Sequence, residues 1–234
     1  MSEKLTAEAR KRVLSIADPI RKAEVLRVIP TAKTNGAAVP AIRAQVVDFK
    51  KQQKLPFAAA CDLCDALTRN GEREHILFAF FLVASYPRDC RSLDWARLAK
   101  WLEAVDNWET CDQLASNVAA EMAATDPQKG YARLKTFAKS KNIWERRFAL
   151  STSASLNQRG RYHPEITLPI CQMLLADKEP MIQTSIAWAL RELTRKDEEA
   201  AFAFLDENLE VMKPSTVREA AKKLPPELRK RLGL

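Results

Sequence analysis

The apolar positions of this chain recur at helical spacing along most of its length. In the segment AIRAQVVDFKKQQ (41–53), Ile42, Val46 and Phe49 fall on one side, because residues three or four apart share a helix face. No stretch alternates apolar and polar residues in the manner of an exposed strand. The pattern therefore predicts an all-α protein.

The predicted helices are joined by short links and recur in pairs. Pairs begin near residues 72, 107, 142 and 179, a step of about 35–37 residues. An antiparallel pair at this step is typical of an α-solenoid of HEAT-like or armadillo-like repeats, with a concave face suited to DNA. The pairs are not alike in sequence, so a globin-like or bundle packing stays open. No linker or break in composition divides the chain, and we expect residues 1–234 to form a single domain.

Proline and glycine mark the predicted helix ends. Pro19 and Pro40 stand at helix starts, where the missing N–H of proline costs nothing. The glycines are few, and we expect each at a connection or at the chain end: Gly36, Gly71, Gly130, Gly160 and Gly233.

Basic charge is concentrated in the amino-terminal quarter. The net charge is +8, and residues 1–54 hold 12 lysines and arginines against 5 acidic residues. This asymmetry favours a polyanionic partner. A solvated helix face has the same composition, so charge alone does not decide between the two.

The cysteines and the apolar runs indicate the cellular compartment in which the protein works. The five cysteines are an odd set without framework spacing, which argues for a reducing environment. The start of the chain has no apolar signal core, and no apolar run approaches the roughly 18 residues of a membrane span. We therefore expect a cytoplasmic protein, with no membrane partner and with the monomer as the default state.

Most catalytic and cofactor signatures are absent from the sequence. There is no GxxxxGK[ST], GxGxxG or HExxH motif, and only His75 and His163 are available for a histidine-based site. Cys61 and Cys64 have CxxC spacing but lie inside a predicted helix without a second pair, so we interpret them as core residues. No metal or organic cofactor is predicted.

The segment NWETCD (107–112) is more informative. Trp108 and Asp112 are four residues apart and therefore lie one turn apart on one helix face. A carboxylate beside an indole is unusual on a face that only packs. Taken alone, the pair is better explained as a half-buried tryptophan beside a capping or ion-pairing aspartate.

Two later segments add arginine and a second tryptophan. In NIWERRFAL (142–150), Arg146 and Arg147 point about 100° apart, so at most one of them faces a given groove. In IQTSIAWALRE, Trp188 and Arg191 are i, i+3 neighbours that can stack or share a surface.

Together the segments 107–112, 142–150 and 182–192 resemble the DNA alkylation repair family, the HEAT-like-repeat alkylpurine DNA glycosylases of the AlkD type. A looser likeness includes VPAIR at 39–43 and ERE at 72–74, so it spans most of the chain. Three separated motifs in register are more specific than any one of them.

The resemblance implies roles for single residues. The catalytic aspartate of the family falls on Asp112, and its two cleft tryptophans fall on Trp108 and Trp188. The arginine associated with the DNA backbone falls on Arg147, and Glu109 stands where an aspartate is common. Weaker candidates for phosphate contact are Arg191, Arg43, Lys50 and Lys51.

The implied reaction is hydrolysis of the N-glycosidic bond of an N3- or N7-alkylated purine, such as 3-methyladenine or 7-methylguanine, in base excision repair. The alkylated base carries a positive charge and leaves readily, so positive charge develops on the deoxyribose. An ionised Asp112 would stabilise that charge. No lysine is placed as a Schiff-base nucleophile, and we expect a monofunctional glycosylase that acts on double-stranded DNA without a cofactor.

Two other classes stay open. A non-catalytic HEAT-repeat protein that binds damaged or branched DNA would share the fold, but it has no chemical need for Asp112. A protein-interaction scaffold would bind DNA weakly and with little response to salt, whereas phosphate contacts make binding fall steeply as salt rises.

Overall fold

The computed structural model describes residues 2–69 and 71–234, and the chain divides into two compact units, Met1–Glu121 and Met122–Leu234. Among the described residues the regular structure is helical and no strand occurs; one isolated bridge pairs Lys33 with Glu72. This confirms the all-α prediction. In the same residues, no helix combines the length and the apolar character that crossing a membrane requires.

The amino-terminal unit is organised around one central helix. Its helices are α1 (Ser2–Leu14), α2 (Pro19–Val28), α3 (Val39–Gln53), α4 (Phe57–Thr68), α5 (Arg73–Ala84), α6 (Pro87–Cys90), α7 (Trp95–Leu102) and α8 (Trp108–Leu114), continued by the π-helical segment Ala115–Ala119. Helix α5 packs against α1, α3, α4 and α8, and its residues are buried almost throughout. Burial on all sides explains its nearly continuous apolar sequence.

The carboxyl-terminal unit shows the stacking most clearly. After α9 (Ala120–Thr125), the helices are α10 (Pro127–Ala138), α11 (Ile143–Ser155), α12 (Pro164–Leu174), α13 (Pro180–Thr194), α14 (Glu198–Glu207), α15 (Pro214–Ala220) and α16 (Pro226–Arg231). Helix α13 packs against α11 and α15 as well as against its sequence neighbours α12 and α14. Such stacked helix pairs are the arrangement of an α-solenoid, as predicted.

The buried face of α3 matches the apolar pattern. Ile42, Val46 and Phe49 are each at most 2% exposed, as their spacing predicts. Cys61 and Cys64 are free thiols buried in α4, which confirms them as core residues. Burial raises the pKa of Cys61 to about 11, so its reactive thiolate is scarce at neutral pH.

Gly130 is an exception to the predicted placement of the glycines. It lies in the first turn of α10 rather than in a connection. A Cβ at this position would meet the Cα and Cβ of Ala123 at 2.7 Å. This glycine therefore permits two backbones to approach closely, a use that a turn-based interpretation of the sequence does not anticipate.

Candidate functional site

The start of α8 is fixed by a side-chain cap. The Asn107 Oδ1 accepts hydrogen bonds from the backbone N–H groups of Glu109 and Thr110 at 3.1 and 3.0 Å. This cap satisfies amides that have no partner inside the helix. Trp108 is the first helical residue and is 38% exposed, and Asp112 follows one turn later, half-buried. The helix thus places the indole and the carboxylate as their spacing predicts.

A cavity of about 260 Å³ lies beside Trp108 and is lined by residues of α2, α3 and α8, together with Ile29 and with Arg73 at the start of α5. Its wall includes the apolar side chains of Val25, Val28 and Pro40, with the indole of Trp108 beside them. An aromatic face in apolar surroundings suits a flat or cationic group, because the ring attracts positive charge and stacks on planar surfaces.

Glu109, the next residue, forms an ion pair with Arg73 at the start of α5. The Arg73 Nε and Nη2 donate to the two carboxylate oxygens of Glu109 at 2.5 and 2.9 Å. The remaining nitrogen, Nη1, donates to Glu74 Oε1 at 2.6 Å and to the Ala37 carbonyl at 3.1 Å. Burial by itself lowers the pKa of Arg73, but the hydrogen bonds and charges of Glu109 and Glu74 outweigh it and raise the pKa. Arg73 is therefore a buried, fully charged cation.

Arg43 of α3 also contacts helix α8. Its guanidinium carbon lies 3.7 Å from the centroid of the Phe81 ring, and its Nη2 donates to Gln113 Oε1 at 3.0 Å. Gln113 follows Asp112 directly in α8. The structure therefore brings one of the weaker phosphate candidates next to the helix that carries the predicted catalytic carboxylate.

The helix continues from Gln113 into the π-helical segment Ala115–Ala119. Asn117 Nδ2 donates to the backbone carbonyl and to the side-chain oxygen of Gln113, at 2.8 and 2.9 Å. Single π turns inside α-helices are frequent at functional sites. The sequence pattern predicts one uninterrupted helix over 107–124 and gives no sign of this turn.

The two lysine candidates on α3 differ in their surroundings. Lys50 Nζ donates to the Ser85 carbonyl and lies 3.6 Å from the centroid of the Tyr86 ring. Lys51 is exposed. Of the two ammonium groups, that of Lys51 is the one presented to solvent, so it is the better placed for a phosphate.

In the carboxyl-terminal unit, Arg147 of α11 is buried, and its Nη1 donates to Ser185 Oγ of α13 at 3.1 Å. Ser185 lies one turn before the half-buried Trp188 on α13, so Arg147 and Trp188 occupy neighbouring positions on two packed helices. Arg146 faces a different partner, since its Nε donates to Asp177 Oδ2 at 2.7 Å. The predicted divergence of the two arginines is thus confirmed.

Arg191, further along α13, is turned toward α15. Its Nη1 lies 3.4 Å from Glu219 Oε2, and both side chains are partly exposed. An exposed ion pair of this kind stabilises the fold only weakly, so the arginine can exchange the carboxylate for a phosphate at little cost.

The predicted site residues therefore fall into two pairs, with Trp108 and Asp112 in one unit and Arg147 and Trp188 in the other. What sequence reasoning misses is the ion pair of Arg73 with Glu109. The sequence does contain a signal for this ion pair, because the charged residues Arg73 and Glu74 begin α5, a helix that is otherwise mostly apolar.

The stacked helix pairs of each unit define an all-α protein of the α-solenoid class. A family model described as DNA alkylation repair enzyme matches residues 9–224. The chain therefore belongs to the DNA alkylation repair enzyme family, which confirms the resemblance of its three motifs. Among curated proteins, none matches this chain.

Two solved structures share the fold. A protein described as a predicted DNA alkylation repair enzyme from Enterococcus faecalis superposes with a TM-score of 0.71 at 20% identity, covering 90% of this chain and 97% of that one. The alkylpurine DNA glycosylase AlkC of Pseudomonas fluorescens, bound to DNA containing an abasic site analog, gives a TM-score of 0.55 at 18% identity. That match covers 94% of this chain and 61% of AlkC.

Proposed function

We propose that this protein is a DNA glycosylase that removes N3- and N7-alkylated purines, including 3-methyladenine and 7-methylguanine, from double-stranded DNA. The observation that carries the proposal is the carboxylate of Asp112, one helical turn from the half-exposed indole of Trp108 in a member of the DNA alkylation repair enzyme family. AlkC, which has a similar fold, was solved with DNA that contains an abasic site analog. An abasic site is the product that base removal leaves.

Asp112 is the residue to which we assign the chemistry. An alkylated purine departs with the electrons of its glycosidic bond and becomes neutral, so the deoxyribose is left with positive charge. An ionised Asp112 stabilises this charge and orients the water whose oxygen bonds to C1′ and whose proton is released. Removing one such electrostatic contact from an active site typically slows the chemical step about 10²–10³-fold.

The other site residues hold the substrate in this proposal. The indoles of Trp108 and Trp188 contact the cationic nucleotide through their faces, each contact stabilising it by about 0.5–2 kcal/mol. Arg147 binds a backbone phosphate and keeps the strand in register. Further phosphate contacts come from Arg43, Arg191, Lys51 and, less favourably, Lys50. We propose that the enzyme is monofunctional, leaves the strand uncleaved and acts in base excision repair.

Release of free base from methylated duplex DNA tests this assignment. Wild type is expected to release 7-methylguanine or 3-methyladenine, and Asp112→Asn is expected to slow release about 100-fold or more, with DNA affinity changed by less than about threefold. Glu103→Gln removes an exposed carboxylate from the same unit, away from the cap of α8, and is the matched control, expected to keep its activity. The assignment fails if wild type releases neither base, and Asp112 loses its role if its variant matches wild type.

A further inference from the structure

We propose that Arg73 is a positioning residue that sets the start of α8, and with it Trp108 and Asp112, for the reaction. The catalytic consequence rests on the proposed function, whereas the effect on Trp108 does not. The Arg73 and Glu109 side chains are 4% and 16% exposed. A buried fork of two parallel hydrogen bonds fixes distance and orientation together.

The first turn of α8 is the end of a longer helical run, since Trp108–Leu114 continues into the π-helical segment Ala115–Ala119. Its Asn107 cap satisfies backbone amides without fixing how this first turn sits against α5. Glu109 lies between the indole and the rest of the helix, so its bond to Arg73 determines where the first turn rests. Displacements of about 1 Å at a reacting group reduce rates by as much as 10²-fold.

The same guanidinium also holds the loop that precedes α3. Arg73 Nη1 donates to the Ala37 carbonyl, and the Glu74 carboxylate that it contacts accepts from the backbone N–H groups of Asn35 and Gly36 at 3.1 and 3.3 Å. The Thr34 hydroxyl also donates to Glu74. Arg73 and Glu74, at the start of α5, therefore hold this loop in place. Arg73 also binds Glu109 of α8, so the loop and α8 share one restraint.

Through this loop the network reaches the opposite wall of the cavity beside Trp108. The Asn35 carbonyl accepts from the backbone N–H of Asp18, the residue that caps α2. Helix α2 has no buried residue among those described, so the loop is a main restraint on its position. One buried cation therefore fixes both α2 and Trp108, which together line that cavity.

Stability alone is a weak account of this arrangement. Two charges removed from water lose much of their hydration energy, and an apolar replacement of a buried ion pair is often neutral or stabilising. A buried charge with several directional bonds instead specifies geometry. The network joins elements 36 residues apart in sequence, where no local contact would hold them.

The test compares Arg73→Lys and Glu109→Gln with Arg97→Lys. Arg97 forms a partly exposed network with Asp62 and Asp65 between α7 and α4, in the same unit and with no part in the cavity. We expect Arg73→Lys and Glu109→Gln to lower kcat for base release about tenfold or more while KM changes by less than about threefold. Arg97→Lys should leave kcat within about twofold of wild type. The proposal is overturned if Arg73→Lys and Arg97→Lys affect kcat equally, or if kcat falls only with the fraction of folded enzyme.

A second readout is independent of catalysis. The acrylamide quenching of Trp108 is obtained by subtracting the signal of the matching Trp108→Phe protein from each variant. It should increase roughly twofold in Arg73→Lys and Glu109→Gln, because a loosened first turn exposes the indole more often, and stay unchanged in Arg97→Lys. If Arg73→Lys does not fold, the Glu109→Gln variant tests the proposal instead, because glutamine keeps the side-chain volume of glutamate and removes only its charge.

The two readouts separate the two proposals. Increased quenching in a protein whose wild type releases no base supports the positioning role and refutes the glycosylase assignment. Unchanged quenching and unchanged kcat in an active enzyme refute the positioning role alone.

Discussion

At the scale of single residues, burial has opposite consequences for two neighbours on α5. Arg73 has donors directed at Glu109, Glu74 and a backbone carbonyl, so it is buried as a cation. His75 is also buried, and its Nδ1 lies 3.2 Å from Glu72 Oε2 without the geometry of a hydrogen bond. Burial lowers the pKa of His75 below 6.5 and the charge of Arg10 adds to this, although Glu72 acts in the opposite direction. His75 is therefore buried in its neutral form.

This lowered pKa predicts an acid-sensitive stability. Below pH 6.5 the unfolded chain binds a proton at His75 that the folded protein resists, so the free energy of unfolding should fall as the pH falls through the folded-state pKa. His75→Gln should flatten this dependence. Urea unfolding at about pH 8 and about pH 5 measures it. His163→Gln controls for the loss of a histidine elsewhere, and equal acid-side losses in wild type and His75→Gln would contradict the prediction.

Residue-level prediction from sequence succeeds where the information is local. The shared face of Trp108 and Asp112 follows from their spacing and the helical period. The bond between Arg73 and Glu109 does not, because it depends on how α5 and α8 pack, and no periodicity relates residues 36 positions apart. The three motifs provide a family resemblance that the spacing of any one of them does not.

At the scale of elements, the apolar period and the prolines predict most helices to within a few residues. Pro19 and Pro180 begin α2 and α13, as a fixed φ and a missing N–H favour. The sequence SLDWARLAKWLEAV (92–105) predicts that Ser92 caps α7. This prediction is wrong, because Asp94 accepts from the Ala96 N–H at 3.1 Å and the helix begins at Trp95. Both residue types are good caps, so composition alone does not choose between them.

Gly130 gives the clearest prediction at this scale. Alanine normally stabilises a helix relative to glycine by about 1 kcal/mol, yet Gly130→Ala should destabilise the protein by about 1–3 kcal/mol because the new Cβ would overlap Ala123. Gln128→Ala, exposed in the same helix, should change stability by less than about 0.5 kcal/mol. Denaturant titration of the three proteins decides, and a stabilised Gly130→Ala would contradict the close approach.

At the scale of the whole molecule, the net charge of +8 is the property most relevant to a DNA partner. Phosphate contacts release counterions, so a DNA-binding protein loses affinity steeply as salt rises, whereas an interaction scaffold does not. The arginine candidates are found in both units, and both lysine candidates lie in the amino-terminal one. The candidate phosphate contacts therefore extend beyond the amino-terminal quarter in which the excess of positive charge is concentrated.

We predict that log Kd for duplex DNA rises linearly with log salt concentration. Lys51→Ala should reduce the slope by about one phosphate equivalent, and Lys230→Ala, on the exposed side of α16, should not. Fluorescence anisotropy over a salt series measures both slopes. A flat dependence in wild type would favour the scaffold class over the enzyme.

The most direct test of the central claim is the identification of products from a duplex that carries a single 7-methylguanine. Under single-turnover conditions, mass spectrometry should detect free 7-methylguanine and an uncleaved strand with an abasic site, and Asp112→Asn should form both about 100-fold more slowly. Tight binding of that duplex by wild type with no base released would contradict the account and indicate a protein that binds alkylated DNA without repairing it.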